Sequence, residues 1–153
     1  MEKTLILLKP DAVQRGLCGA IVSRLEQKGL KIVAAKMFRF TPALAKEHYA
    51  HLAAKPFYPK LEEFMCSSPV IGLVAEGKDA VNQVRGMCGA TDSGKALAGT
   101  IRGDLGMSTQ CNLIHASDSR EAADAEIRRF FKPDEIMAYA RPHEGFVHAR
   151  DEQ

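Results

Sequence analysis

Apolar residues occur along the chain in short blocks whose spacing changes between that of strands and that of helices. Residues 4–8 form a nearly continuous apolar block that predicts a buried strand, and Pro10 ends it because proline cannot extend a central ladder. Residues 17–25 carry apolar side chains at helical spacing, and Lys28 followed by Gly29 is typical of a helix end. The chain is therefore predicted to begin with a strand and a helix.

Proline, glycine and capping residues mark the boundaries of the later blocks in the same way. The predicted strands cover residues 4–8, 31–40, 69–76 and 112–116. The predicted helices cover residues 17–28, 42–55, 59–66 and 79–85, and a last helix begins where Asp118 and Glu121 have the spacing of a capping box. Strands and helices thus alternate, with a helical hairpin between the second and third strands.

Two segments show neither the helical nor the strand spacing of apolar residues. Residues 86–110 contain six glycines, and so long an irregular stretch in a compact domain is usually functional. Residues 145–153 also show no period, which predicts a mobile or partner-bound tail. We therefore expect a functional loop before the fourth strand, one domain over residues 1–140, and a C-terminal tail over residues 141–153.

The order of elements predicts the fold class. With 153 residues the chain has room for one domain with a stable core. Helices on one face of a mostly antiparallel sheet would bury these elements economically. We expect an α/β (α+β) protein with a ferredoxin-like sandwich, in which a four-stranded antiparallel sheet carries helices on its face.

Composition and charge narrow the classes of partner. Hydrophobic residues make up 46% of the chain and charged residues 26%, which is typical of a soluble globular protein and excludes disordered and membrane proteins. The longest apolar run, residues 5–8, is too short to span a bilayer or to serve as an export signal. Because 21 basic residues face 19 acidic ones, no membrane and no specific nucleic acid is predicted as a partner.

The four cysteines, Cys18, Cys66, Cys88 and Cys111, lie far apart and form no Cys-x-x-Cys pair. This spacing argues against a zinc cage or a redox pair and favours four separate thiols. We therefore expect a cytoplasmic protein, because the cytosol keeps thiols reduced.

The most unusual segment is residues 112–119, where His115 interrupts an apolar strand. One interpretation is a core histidine satisfied by one hydrogen bond. A second is a nucleophile that accepts an acyl or phosphoryl group, with Glu126 or Ser117 orienting the other ring nitrogen. A third is a hydrolase triad of Ser117, His115 and Asp118, although the Gly-x-Ser-x-Gly elbow of such enzymes is absent.

Groups that could hold phosphate are scattered along the chain: Lys9, Arg85 and Arg102, with Thr91 between the two arginines. Arginine suits phosphoryl transfer because its rigid fork matches phosphate oxygens, but each group taken singly is more typical of a solvated surface charge. No Walker loop and no glycine-rich kinase loop occurs, so a nucleotide would have to be held by scattered side chains. Phe57 lies in a predicted turn, where its ring could stack on a base or simply pack in the hairpin.

Residues 112–119 read Asn-Leu-Ile-His-Ala-Ser-Asp-Ser, which resembles the signature Asn-x-x-His-Gly-Ser-Asp-Ser of nucleoside diphosphate kinases. Other motifs that resemble this family occur in order at residues 4–11 (TLILLKPD), 48–49 (HY), 56–57 (PF), 69–77, 89–91 (GAT) and 99–104 (GTIRGD). The signature is highly specific and favours His115 as a nucleophile.

The resemblance implies a phosphotransferase that moves the terminal phosphoryl group of a nucleoside triphosphate to a nucleoside diphosphate, in ping-pong fashion, through a phosphohistidine at His115. It implies that Glu126 orients the histidine ring, with Ser117 beside it. The substrate-binding positions that it implies are Lys9, Arg85, Thr91 and Arg102 at the phosphates, Asn112 at the ribose, Phe57 with Leu61 at the base, and Tyr49 lining the site. The expected cofactor is Mg²⁺, which the nucleotide phosphates would carry, with no metal site on the protein.

Some positions depart from the family pattern. Ala116 replaces the glycine that usually follows the histidine, Thr109 stands where an apolar residue is common, and residues 91–97 lack prolines often seen there. Strand alternation would place Asn112 and His115 on opposite faces of the sheet, so both reach one site only if the chain is irregular near Asn112.

The alternative to an enzyme is a non-catalytic binding module on the same sandwich, such as an RNA-binding or small-ligand regulatory domain, because fold does not determine function. Residues 69–76 lack the basic and aromatic signature of RNA-recognition domains. The resemblance also implies a homo-oligomer, with a hexamer favoured and a tetramer possible.

Overall fold

The predicted strands form one sheet in a computed structural model of the protein, which describes residues 1–149. The strands are β1 (Glu2–Leu8), β2 (Lys31–Phe38), β3 (Val70–Gly77) and β4 (Ile114–Ala116). Their order in the sheet is β2-β3-β1-β4, and every neighbouring pair is antiparallel. The predicted α+β class and the ferredoxin-like sandwich are confirmed.

The helices are α1 (Pro10–Gln14), α2 (Cys18–Gln27), α3 (Pro42–His48), α4 (Tyr58–Cys66), α5 (Ala80–Cys88), α6 (Ile101–Leu105) and α7 (Arg120–Phe130). Single 3₁₀ turns lie at Ala50–Leu52, Ser93–Lys95, Pro133–Glu135 and Glu144–Phe146.

Helices cover both faces of the sheet, whereas the sequence pattern predicted them on one face. In β1, Leu5 and Leu7 belong to a core with α3, α4 and α7, while Ile6 and Leu8 belong to a second core with α2 and α5. All four side chains are fully buried. A strand that is buried on both faces carries a continuous apolar run instead of an alternating one, and residues 5–8 carry such a run.

The glycine-rich residues 86–110 contain more structure than their composition predicts. Thr100 caps α6 with its side chain, and Ile101 is buried in the second core. An ion pair of 2.7 Å between Arg24 Nη2 and Asp104 Oδ2 connects this segment to α2. A helix of five residues is too short to show a hydrophobic period, which explains why the pattern predicted only a loop.

Two boundaries also differ from the prediction. Pro10 is the first residue of α1, a position that suits proline because the first helical N–H needs no partner. The side chain that caps α7 is Ser119, which accepts a hydrogen bond from Ala122 N at 3.0 Å, and not Asp118.

The start of the predicted tail is attached to the domain. Arg141 donates hydrogen bonds to the carbonyl oxygens of Gly29 and Leu30, at 2.9 and 3.1 Å. Residues 150–153 of that tail lie outside the described residues.

Candidate active site

The site forms where β4 lies beside β1, at an irregular point of the backbone. His115 pairs with Leu7 across the two strands, so their side chains share one face, and Lys9 follows two residues after Leu7 on that face. The chain enters β4 through Leu113, whose φ of +72° is left-handed and whose N–H donates to Asp11 Oδ2 at 3.1 Å. This turn interrupts strand alternation and brings Asn112 to the face of His115, where it meets Lys9.

His115 is oriented by a carboxylate from α7. His115 Nε2 lies 3.1 Å from Glu126 Oε2, and the Ser117 hydroxyl donates to the same oxygen at 2.7 Å. Burial raises the pKa of Glu126, but the hydrogen bond and charge of His115 and the hydrogen bond of Ser117 outweigh burial and lower this pKa to about 2. Because an ionised carboxylate only accepts, we assign the ring proton to Nε2. Nδ1 then carries the free lone pair of the ring.

These contacts decide between the earlier interpretations of His115. The Ser117 residue has no exposed surface and its hydroxyl donates to Glu126, while Asp118 is exposed. Ser117 therefore cannot attack a substrate, and the hydrolase triad is wrong. The side chain of His115 keeps 22% of its surface exposed, which a histidine of the closed core would not.

Two side chains at the end of α3 surround His115. The ring centroids of His48 and Tyr49 lie 4.7 and 6.2 Å from that of His115, both in edge-on geometry. Burial, and after it the charge of His115, lowers the pKa of His48 to about 3. Burial raises the pKa of Tyr49. Sequence reasoning did not select His48 as a site residue, and the only signal for it was its place before Tyr49 in a family-like dipeptide.

Lys9 provides a buried cation. Its side chain is 6% exposed, and its Nζ donates to the Gln110 carbonyl at 3.0 Å and to Asn112 Oδ1 at 2.8 Å. Burial lowers the pKa of Lys9 from 10.5 to about 8; the charge of Asp11 opposes this fall and that of Arg102 adds to it. The ammonium is therefore charged at neutral pH but weakly hydrated, which strengthens its attraction for an anion.

Arg102 is fixed by three backbone carbonyl groups. Its Nε donates to Asn112 O at 3.2 Å, its Nη1 to Gly89 O at 2.9 Å and its Nη2 to Ile114 O at 2.6 Å. These bonds leave two guanidinium N–H groups for a ligand. Arg85 is exposed at the end of α5, near enough for its charge to contribute to the lowered pKa of Arg102, of which burial is the main cause.

Asn112 connects these cations to the glycine-rich segment. Its Nδ2 donates to the Thr91 carbonyl at 2.9 Å while its Oδ1 accepts from Lys9. We call Lys9, Thr91, Arg102 and Asn112 the cation cluster. We call His48, His115, Ser117 and Glu126 the nucleophile cluster.

The two positions implied for the base lie at the start of α4 and within it. Phe57, which precedes α4, is 51% exposed, and Leu61 is half-buried against the core of α3, α4 and α7. Within residues 1–149, α4 reaches the site through Phe64 and Lys60. Lys9 Nζ lies 5.2 Å from the ring centroid of Phe64, and Gln110 Nε2 donates to the backbone carbonyl of Lys60 at 3.2 Å.

No helix among residues 1–149 is both long enough and apolar enough to cross a membrane.

A family model described as "Nucleoside diphosphate kinase" matches residues 2–136. A curated protein of that name from Rhodopirellula baltica is 50% identical over 152 residues, which are 99% of this chain and 100% of the relative. One from Pyrococcus horikoshii is 50% identical over 148 residues, which are 95% of this chain and 94% of the relative.

Solved structures give the same result. A halophilic nucleoside diphosphate kinase from Halobacterium salinarum, solved in complex with CDP, has a TM-score of 0.94 and 48% identity and covers 96% of this chain and 98% of its own. A protein of the same family from Babesia bovis has a TM-score of 0.92 and 40% identity, with coverage of 97% and 100%.

Proposed function

The chain belongs to the nucleoside diphosphate kinase family, and on that premise we propose that His115 carries the phosphoryl group between two nucleotides. As a member of this family the chain is a phosphotransferase that acts on nucleoside di- and triphosphates. The observation that supports His115 as the carrier is the pairing of its Nε2 with ionised Glu126, because this pairing leaves Nδ1 free to attack.

The reaction divides into two displacements. In the first, the Nδ1 lone pair attacks the terminal phosphorus of a nucleoside triphosphate, the bond to the bridging oxygen breaks, and the diphosphate leaves with that electron pair. In the second, a terminal oxygen of another diphosphate attacks the phosphorus of the phosphohistidine. The N–P bond breaks, and its electron pair returns to Nδ1 of His115. Glu126 accepts a hydrogen bond from the Nε2 proton, which stays on the ring, and its charge stabilises the positive charge that the ring acquires. Ser117 fixes the position of the carboxylate.

The cation cluster supplies the charge that phosphoryl transfer needs. Lys9, Arg102 and the exposed Arg85 would bind the phosphate oxygens, together with the hydroxyl of Thr91. Support comes from the two unused N–H groups of Arg102 and from the weakly hydrated ammonium of Lys9. We assign Tyr49 to the wall of the site, beside His115.

The remaining nucleotide contacts follow the family resemblance. Asn112 would bind the ribose, although its amide is already bonded to Lys9 and Thr91, so ribose binding requires one of these bonds to exchange. Phe57 and Leu61 would hold the base. The exposed ring of Phe57 supports this role, since stacking on a π-face reads no base edge and accepts every base.

The family uses a divalent metal ion, which we propose is Mg²⁺ carried on the nucleotide phosphates. Among residues 1–149 the only group of three candidate metal ligands is His48, His115 and Glu126. Two imidazoles do not suit Mg²⁺, which prefers oxygen ligands. The donor set of the protein therefore does not fit a resident Mg²⁺ site. When bound, the ion would neutralise phosphate charge.

The test is the detection of the covalent intermediate. The protein is mixed with MgATP and examined by mass spectrometry under alkaline conditions that preserve phosphohistidine. We expect one acid-labile phosphate on His115, which a diphosphate added afterwards removes as the triphosphate. Absence of this phosphate would reject covalent transfer and favour the alternative of a binding module on the same fold.

Assembly and organisation form a second part of the proposal. We propose a hexamer, with a tetramer as the alternative, in which residues 91–110 contact a neighbouring subunit. Leu97 and Met107, which flank α6, are 79% and 93% exposed and support such a contact. Light scattering at several concentrations tests it, because the mass of four subunits or of one would reject the hexamer.

We further propose a catalytic domain over residues 1–140 with a tail over residues 141–153, and a cytoplasmic location suited to the four free cysteines.

A further inference from the structure

Three potential metal ligands meet beside the nucleophile. His48, His115 and Glu126 each offer one ligand atom, and these atoms all lie within 4.8 Å of one another. They come from three separate elements, because His48 ends α3, His115 lies in β4 and Glu126 lies in α7. The three atoms are close enough that small side-chain shifts bring them within bonding distance of one ion, at about 2.0–2.2 Å.

The second observation is a buried nitrogen without a partner. His48 is 4% exposed, its Nδ1 lies 3.3 Å from Arg129 Nη1, and its Nε2 has no hydrogen-bond partner among residues 1–149. Leaving a buried polar group unsatisfied destabilises the protein, because the group loses its hydrogen bonds to water and gains none in return. Such a cost beside an active centre indicates a ligand that the nitrogen meets in another state of the protein.

The chemistry of the ligand atoms defines the class of ion. Two imidazoles and one carboxylate with an open fourth position form a set that zinc uses in proteins, whereas Mg²⁺ avoids imidazole.

We propose that a divalent transition-metal ion of the zinc class binds between His48, His115 and Glu126 and stops phosphoryl transfer while it is bound. Binding follows from the geometry alone, and the inhibitory effect rests on the proposed role of His115. The Mg²⁺ that accompanies the nucleotide does not compete for this site.

Inhibition follows from the position of one proton. With the metal on His115 Nε2, the proton of that nitrogen moves to Nδ1, and the ring stays neutral. Nδ1 then has no lone pair in the ring plane with which to attack phosphorus. The proton of His48 moves from Nε2 to Nδ1 in the same way, which gives up the contact with Arg129, while the guanidinium keeps its 3.0 Å bond from Nε to Glu47.

Binding is tested with Co²⁺ as a spectroscopic substitute for zinc, on unphosphorylated protein without nucleotide and with excess Mg²⁺. We expect one Co²⁺ per chain with the intense visible bands of a tetrahedral site, displaced by one equivalent of Zn²⁺. His48→Gln should weaken binding by at least about 10-fold. The matched control is His51→Gln, an exposed histidine near the end of the same helix, which should bind as the unaltered chain does. Glu126→Gln serves as a second variant if His48→Gln does not fold.

Equal Co²⁺ affinity in the unaltered chain and in a folded His48→Gln or Glu126→Gln variant would reject the site. Phosphohistidine formation is then measured separately after preincubation with Zn²⁺, which should suppress it in the unaltered chain and in His51→Gln. If Co²⁺ binds but phosphohistidine never forms from MgATP, the proposed function fails and the metal site stands. If phosphohistidine forms but Co²⁺ does not bind, only this inference fails.

Discussion

The nucleophile cluster and the cation cluster meet where β4 lies beside β1, but they are built in different ways. His115, Ser117 and Glu126 lie within twelve positions of one another along the chain (115 to 126), on β4 and on the α7 helix that follows it. Lys9 and Asn112 are 103 residues apart and are joined directly by a hydrogen bond. Apart from His48, which ends α3, the first cluster joins residues that are close along the chain, whereas the second connects distant segments.

This difference separates the consequences of substitution. In the nucleophile cluster the side chains bond mainly to one another, so that a change there should affect chemistry more than folding. In the cation cluster Arg102 bonds to three backbone carbonyl groups, and Asn112 connects Lys9, just after β1, to the glycine-rich segment. A change there should affect stability and catalysis together.

The largest expected effect is that of His115→Ala. Phosphoryl transfer should fall to background because the covalent route is lost. The protein should stay folded and bind ADP with nearly unchanged affinity, because the proposed phosphate contacts come from the cation cluster and not from His115. Turnover in a coupled assay and ADP binding by calorimetry check this prediction. Turnover close to that of the unaltered chain would contradict the covalent mechanism.

Glu126→Gln should lower turnover by about 10- to 100-fold, the usual scale for losing a partner that orients a reactive group. The amide still accepts one hydrogen bond but carries no charge to stabilise the ring, so ADP affinity should change little. Asp124→Asn, at an exposed position of the same helix, is the control and should leave turnover unchanged. A loss of ADP affinity equal to the loss of turnover would show that Glu126 acts in binding instead.

Arg102→Lys should lower turnover by about 10-fold or more and the free energy of unfolding by about 2–4 kcal/mol, because one ammonium cannot replace three charge-assisted bonds. Arg85→Lys is the matched control. Arg85 is exposed, so its replacement should weaken nucleotide binding and change stability by less than about 0.5 kcal/mol. Urea denaturation measures both variants. Equal stability of the two variants would show that the bonds of Arg102 to the backbone do not stabilise the fold.

The sequence predicted much of the nucleophile cluster because His115, Ser117 and Glu126 lie close together along the chain. The histidine in an apolar strand and an acid in the next helix lie close along the chain, and local periodicity places both. His48 was not selected, because its contact with His115 depends on how α3 packs on the sheet. Single-sequence patterns contain no information on such packing.

The cation cluster could be predicted only through the family resemblance. No period links Lys9 with Arg102 or Asn112, and the left-handed backbone at Leu113 that brings Asn112 to this face breaks the rule from which a strand face is predicted. Likewise, α6 is too short to show a period. That helices cover both faces of the sheet could have been predicted, since residues 5–8 are apolar without alternation.

The smallest expected effect concerns pH and the buried Lys9, and it distinguishes binding from stability by sign. The pKa of Lys9 is about 8 in the folded protein against an ordinary 10.5. Between these values the unfolded chain binds more protons than the folded chain, so this group raises the free energy of unfolding as pH rises. Nucleotide affinity should fall over the same interval by a few-fold, because the neutral amine no longer attracts phosphate.

Lys9→Met should bind ADP more weakly at pH 7 and should lose both trends. Lys60→Met, which changes an exposed lysine on α4, should retain them. Denaturation and ADP titrations from pH 7 to pH 9.5 measure the two slopes, and slopes of the same sign would show that Lys9 is not the titrating group.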